Sequence, residues 1–266
     1  MKIAIQCRQD DSTYVEKADE ILVDYRDRDY IFDLIEKYPN KKYILKMVPT
    51  DSSVDWTWVE QMNGITENLI LCVDGDYYTL SKCAEKGFKF YSNYPVRDWA
   101  VLRAYAELGP KYVIPAGDLF FNLPQVKAAG IPIRLQVNHP YVSDLVQFVN
   151  TELDYTIVSE WVRPDDIDAY AEYVDTIEFV DVEHSKERAL YRLYMQEKHW
   201  PGSIKMIIDN LKTDATNRMI EPEVFQHRIN CGRKCLYGSP CRLCFRQFFL
   251  ANYERIKNYK EEVIDK

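Results

Sequence analysis

Several familiar features are missing from this chain of 266 residues. No stretch approaches the roughly 20 apolar residues that a membrane span needs. The N-terminal MKIAIQCRQDD reaches acidic residues after a few apolar ones, so it lacks the apolar core and small-residue cleavage site of a secretory signal. A cytoplasmic protein is the expectation. There is no glycine-rich phosphate loop, no HExxH zinc helix and no GxSxG nucleophile elbow, so these routes to phosphate binding, metalloproteolysis and serine hydrolysis have no sequence support. Histidine is scarce at four residues, and neither a low-complexity linker nor a clear internal repeat divides the chain.

What is present is ordinary for a soluble globular protein: 47% apolar and 29% charged residues. Short apolar or β-branched runs recur, each followed by a polar or helical stretch. They cover Lys2–Cys7, Ile21–Tyr25, Tyr43–Met47, Leu69–Val73, Phe88–Ser92, Tyr112–Pro115, Ile133–Val137, Tyr155–Ser159 and Thr176–Val180. Their close spacing leaves room for one short helix per unit and favours a (β/α)8, TIM-barrel-like body, although nine runs are one more than such a barrel uses. Helices are expected over Tyr30–Tyr38, from Pro95 to Leu108, over Ser143–Asn150, from Asp165 to Val174, and over Lys186–Lys198. The reading divides the chain into a barrel over residues 1–211 and, over 212–266, a cysteine-rich segment followed by a final helix from Phe245 to Val263.

That segment holds CGRKCLYGSPCRLC, with Cys231, Cys235, Cys241 and Cys244 separated by three, five and two residues. Gly232, Gly238 and Pro240 permit the sharp turns that let four thiols reach one centre. A thiolate quartet suits tetrahedral zinc or an iron-sulfur cluster, and spacing alone does not choose. Two disulfides, or four unrelated thiols, are the alternative. Seven cysteines, with Cys7, Cys72 and Cys83 far from the quartet, fit a reducing compartment better than a disulfide framework.

Charge is uneven. The net charge is -8, yet residues 228–260 carry eight basic side chains and one acidic, so the stretch is +7 and the remainder -15. Cations beside thiolates balance their charge. The same stretch, with Tyr237, Phe245, Phe248, Phe249 and Tyr253, also suits RNA or an anionic substrate, although aromatics at such spacing equally make a helix core.

In a barrel the site lies where the strands end. Polar residues stand at these points: Gln6 and Arg8, Asp24 and Arg26, Lys46, Asp74 and Asp76, Asn93, Asp118, Asn138 and His139, Glu160 and Arg163. Of these, Asn93, Asp118, Asn138 and His139 are the candidate catalytic residues. His139 suits general acid-base work or metal ligation, but before Pro140 it equally suits an extended loop. His227 lies four residues before Cys231 and is a possible substitute ligand.

The stretch from Lys86 to Val137 resembles the repeated core of the U32 peptidase-like family. The matching positions are Gly87, Asn93, Leu108, Gly109, and Asp118 with Leu119; NCGRKCLYGSPCRLCFRQF is similar to the cysteine signature of that family. The resemblance implies a TIM-barrel-like body and a 4Fe-4S cluster on the four cysteines. It also implies proteolysis, or hydroxylation of RNA bases or a quinone precursor, and with that an electron donor. The competing reading is a zinc-stapled, noncatalytic protein that binds RNA or another protein through its basic surface.

Overall fold

The structure, a computed structural model, describes residues 1–7, 15–47, 54–74, 77–138, 160–180 and 184–200, together with Gly202, Ile207, Ile229 and Cys231. Seven parallel strands form one curled sheet: β1 Lys2–Gln6, β2 Glu20–Asp24, β3 Lys42–Met47, β4 Leu69–Val73, β5 Phe90–Ser92, β6 Arg134–Gln136 and β7 Thr176–Glu178. Their order is β5-β4-β3-β2-β1-β7-β6. Every pair is parallel, as in Ile21↔Tyr43 and Ile44↔Ile70.

Parallel strands covered on both faces read as continuous apolar runs, and that is why the expected strands match so closely here. Alternate residues divide between two cores. Ile3, Ile5, Ile21, Val23, Tyr43, Leu45, Leu69 and Leu71 pack outward beneath the helices. Ala4, Leu22, Ile44, Ile70, Cys72, Tyr91, Tyr112 and Ile114 form the core inside the curl. Each fully buried Ile or Leu contributes about 1.5–3 kcal/mol.

Seven helices lie among the described residues: α1 Arg28–Lys37, α2 Trp56–Ile65, α3 Tyr77–Glu85, α4 Trp99–Glu107, α5 Leu123–Ala128, α6 Ile167–Tyr170 and α7 His184–Arg192. Helix α1 buries Ile31, Leu34 and Ile35, the spacing of one helical face, with Asp29 in its first turn and Lys37 in its last. Helix α2 is capped by Asp55, whose side chain accepts from the Trp58 amide at 3.1 Å. A π-turn, Leu193–Glu197, follows α7 and closes at Lys198, which has a φ of 50°.

The helix expected from Pro95 begins instead at Trp99. Asp98 Oδ1 caps it, accepting from the Ala100 and Val101 amides at 2.9 Å each. Val96 is drawn into sheet pairing: its amide donates to Ile114 O at 2.7 Å, and the Ala116 amide donates to Val96 O at 2.8 Å. The expected strand at Tyr112–Pro115 is correspondingly reduced to single parallel bridges, Val96↔Pro115 and Val113↔Ile133. Even so, this segment bonds toward both edges of the sheet. The Lys111 amide donates to Phe90 O at 2.6 Å on the β5 side, and the Arg134 amide donates to Val113 O at 2.9 Å on the β6 side.

The expected strand at 155–159, the helix at 143–150 and the final helix from Phe245 lie outside the described residues. So does the boundary placed at 211/212. No helix among the described residues is long and apolar enough to cross a membrane.

Candidate functional site

At the C-terminal ends of the strands, polar side chains follow directly on the apolar runs. Asn93 begins the loop after β5, and its amide donates to Val73 O at 2.7 Å while its Nδ2 donates to Asp74 Oδ1 at 2.7 Å. The loops after β4 and β5 are thereby tied together. Asp24, at the end of β2, receives Arg26 Nη2 at 2.6 Å, and that hydrogen bond holds its carboxyl below the usual range against partial burial. Lys46, half-buried at the end of β3, adds to the same effect. From α7, buried Glu187 accepts the Gln6 amide at 2.9 Å and so occupies the end of β1.

Asn138 has a different task. Its Nδ2 donates to Val180 O at 2.9 Å and its Oδ1 accepts from the Val180 amide at 2.8 Å, which joins the chain after β6 to the chain after β7. Both ends of the carboxamide are engaged with backbone, so Asn138 is a strand-end clamp. Asp118 is exposed in the turn before Phe120. Among the described residues no hydrogen bond joins Asn93 to Asp118 or to Asn138, and His139 lies outside them.

Glu160 and Gln136 are better placed. Glu160 is buried and accepts the Gly117 amide at 2.6 Å, while Gln136 Nε2 donates to Glu178 Oε1 at 2.8 Å. With Pro95, Ile114, Pro115, Ala116 and Phe120 they line a small cleft. Gly117 has a φ of 56°, and a Cβ there would meet Arg97 O at 3.1 Å, so the turn that presents its amide to Glu160 requires glycine. The cleft is small, with room for about one water-sized group beside the buried carboxylate and the carboxamide. Near the Asn93–Asp74 link, Tyr94, Tyr77 and Tyr78 are 57%, 61% and 71% exposed.

Sequence reasoning passed over Gln136 because it sits inside a strand. The signal was there: in RLQV, polar Arg134 and Gln136 alternate with apolar Leu135 and Val137, which marks the interior face. Inside the curl, Arg134 Nη1 contacts Glu20 Oε2 at 2.7 Å and its Nε contacts Glu178 Oε2 at 2.5 Å. The Tyr91 and Tyr112 ring centres lie 4.9 and 5.3 Å from the guanidinium carbon.

Of the four candidate cluster ligands, Cys231 is described. It is half-buried and packs against the outer core, two residues after buried Ile229. Cys235, Cys241 and Cys244 lie outside the described residues, as does the basic stretch around them. Among the described residues no three His, Cys, Asp or Glu side chains converge as a metal-ligand set. The donor chemistry of the quartet nevertheless fits a soft centre, and one of its thiols is docked on the body.

Against known proteins, no family model matches the chain and no curated protein matches it.

Proposed function

We propose that this chain is an iron-sulfur enzyme of the U32 peptidase-like kind, with a (β/α)8 barrel body. The segment at 111–116 completes the ring as the strand between β5 and β6. The observation that carries the reading is the polar rim at the C-terminal ends of parallel strands, where barrel enzymes hold their substrates. Cys231, Cys235, Cys241 and Cys244 would hold a 4Fe-4S cluster, which when bound supplies one-electron transfer.

The substrate is an RNA base or a small aromatic molecule, modified by hydroxylation or related chemistry, with electrons from a separate donor. Asn93, oriented by Asp74, and Glu160, oriented by the Gly117 amide, hold its polar edge. Phe120 and Pro95 wall off water, and Asn138 keeps the loops after β6 and β7 in register. The basic stretch at 228–260 draws an anionic substrate toward the rim.

Anaerobic purification tests this reading. A brown protein whose visible absorption bleaches with dithionite, and which then gives an electron paramagnetic resonance signal, supports it. Colourless protein with one zinc per chain supports the stapled binding module instead, a reading favoured by the docking of Ile229 and Cys231 on the core.

A further inference from the structure

One side chain of the small cleft is held in a fixed sense by contacts that run through the interior of the curled sheet. Gln136 shares its face of β6 with Arg134, and the two stand beside Glu178 and Thr176 of β7 in the register Gln136↔Glu178 and Arg134↔Thr176. Glu178 accepts from Arg134 Nε at 2.5 Å through Oε2, and from Gln136 Nε2 at 2.8 Å through Oε1. Arg134 is anchored in turn on Glu20, whose Oε2 is 2.7 Å from its Nη1. Gln136, Glu178, Arg134 and Glu20 are all buried.

A carboxylate only accepts, so Gln136 has to present its NH2 to Glu178 and turn its carbonyl oxygen the other way. The same side chain lines the cleft, and that oxygen is the group it offers there. Among the described residues no donor reaches Gln136 Oε1. A buried acceptor without a donor is unfavourable until a ligand supplies one. Glu160 lines the same cleft with a second accepting group, and the Gly117 amide is already engaged with its Oε1 at 2.6 Å. The walls, Ile114, Ala116 and Phe120, carry no side-chain donor.

Two acceptors between apolar walls select for N–H. A water molecule would donate to both, but its lone pairs would find no side-chain donor on these walls. An aryl amine or an ammonium group donates through two or more hydrogens and leaves no acceptor to satisfy, whereas a carbonyl or nitrile would set lone pair against lone pair.

We propose that Gln136 and Glu160 form a binding subsite for an amino group, carried by an aromatic ligand or present as free ammonium, and that Glu178 is the positioning residue that sets the sense of the Gln136 carboxamide. The proposal rests on the rim being the substrate site, and it gives that substrate an exposed amino group. With room for about one water-sized group, the cleft takes the amino head alone and the ring stays outside.

Calorimetric titration of the full chain with aniline and with benzonitrile, which replaces the donor by an acceptor on the same ring, tests the subsite. Aniline should bind about tenfold more tightly, and Gln136→Leu should erase that difference. In Glu178→Gln the new carboxamide keeps its oxygen on Arg134 Nε and turns its NH2 toward Gln136, which then flips and offers its own NH2 to the cleft. The preference should therefore reverse toward benzonitrile, a change that loss of packing does not produce. Displacement of aniline by ammonium chloride, and not by sodium chloride at equal ionic strength, adds the free ion as an occupant; no displacement confines the subsite to aryl amines. Should either variant fail to fold, the wild-type comparison still decides. No binding of aniline, equal binding of the two ligands by the wild type, or an unchanged preference in folded Glu178→Gln would overturn the proposal. The titration needs no cluster, so a zinc protein that prefers aniline would refute the iron-sulfur reading and leave the amino subsite standing.

Discussion

Arg134 on β6 and Glu20 on β2 meet 2.7 Å apart inside the curl, with two other strands between theirs in the sheet. Both side chains are fully buried, and Glu178 on β7 completes the group. Strand pairing alone links neighbours; this contact reaches across β1 and β7 on the concave face of the curled sheet.

Removing one member of such a group strands the others. Arg134→Met leaves buried Glu178 without its cation and Glu20 with only Lys42 Nζ, 3.6 Å away, and should cost about 3–5 kcal/mol, read from urea denaturation midpoints. Adding Glu20→Gln and Glu178→Gln to Arg134→Met should recover much of that loss. Equal stability of the single and triple variants would contradict the assignment.

Asn138 and Asn93 were alike in the sequence and should separate in experiment. Asn138→Ala leaves the Val180 backbone groups without their partner and should cost about 1–3 kcal/mol. Asn93→Ala, at a half-buried position with one side-chain bond to Asp74, should change stability by less than about 1 kcal/mol. Substrate turnover should fall in Asn93→Ala more than its stability does, once the substrate is in hand.

Thiol reactivity should divide the cysteines. Burial pushes the Cys72 and Cys83 thiols up to about 12, so both should resist iodoacetamide at pH 8 in the native protein and react after denaturation. Peptide mass spectrometry reads each site. Rapid native labelling of Cys72 would contradict its place in the inner core.

Acid should weaken the start of α2. The Trp58 amide outweighs the opposing desolvation and, with further help from Arg28, holds the Asp55 carboxyl below the usual range. A depressed folded value means that this stabilisation is present above the ordinary aspartate value of about 3.9 and is lost as pH falls through the lower folded value. The difference in thermal midpoint between wild type and Asp55→Ala should therefore be larger at pH 7 than at pH 3. A gap that grew on acidification would reverse the sign of the argument.

The strands were legible because both of their faces are buried, and Leu69–Val73 reads as apolar throughout. Tyr112–Pro115 was harder: its pattern marks a strand, but how few of its backbone groups pair depends on Val96, which the helical spacing of 96–108 had assigned elsewhere. Within the site, polar residues at strand ends could be read, whereas their partners could not. Nothing local distinguishes Asn138, clamped on Val180 across 42 positions, from Asn93, held by Asp74 across 19. Arg134 and Glu20 are 114 positions apart, and only the curl of the sheet brings them together.

Iron and acid-labile sulfide per chain, measured on anaerobically purified wild type and Cys241→Ser, test the central claim most directly. The account predicts iron and sulfide in the equal ratio of a 4Fe-4S cluster in the wild type, lost in Cys241→Ser while the circular dichroism of the strands and helices persists. Zinc without iron or sulfide in the wild type, or full iron retained by Cys241→Ser, would contradict it.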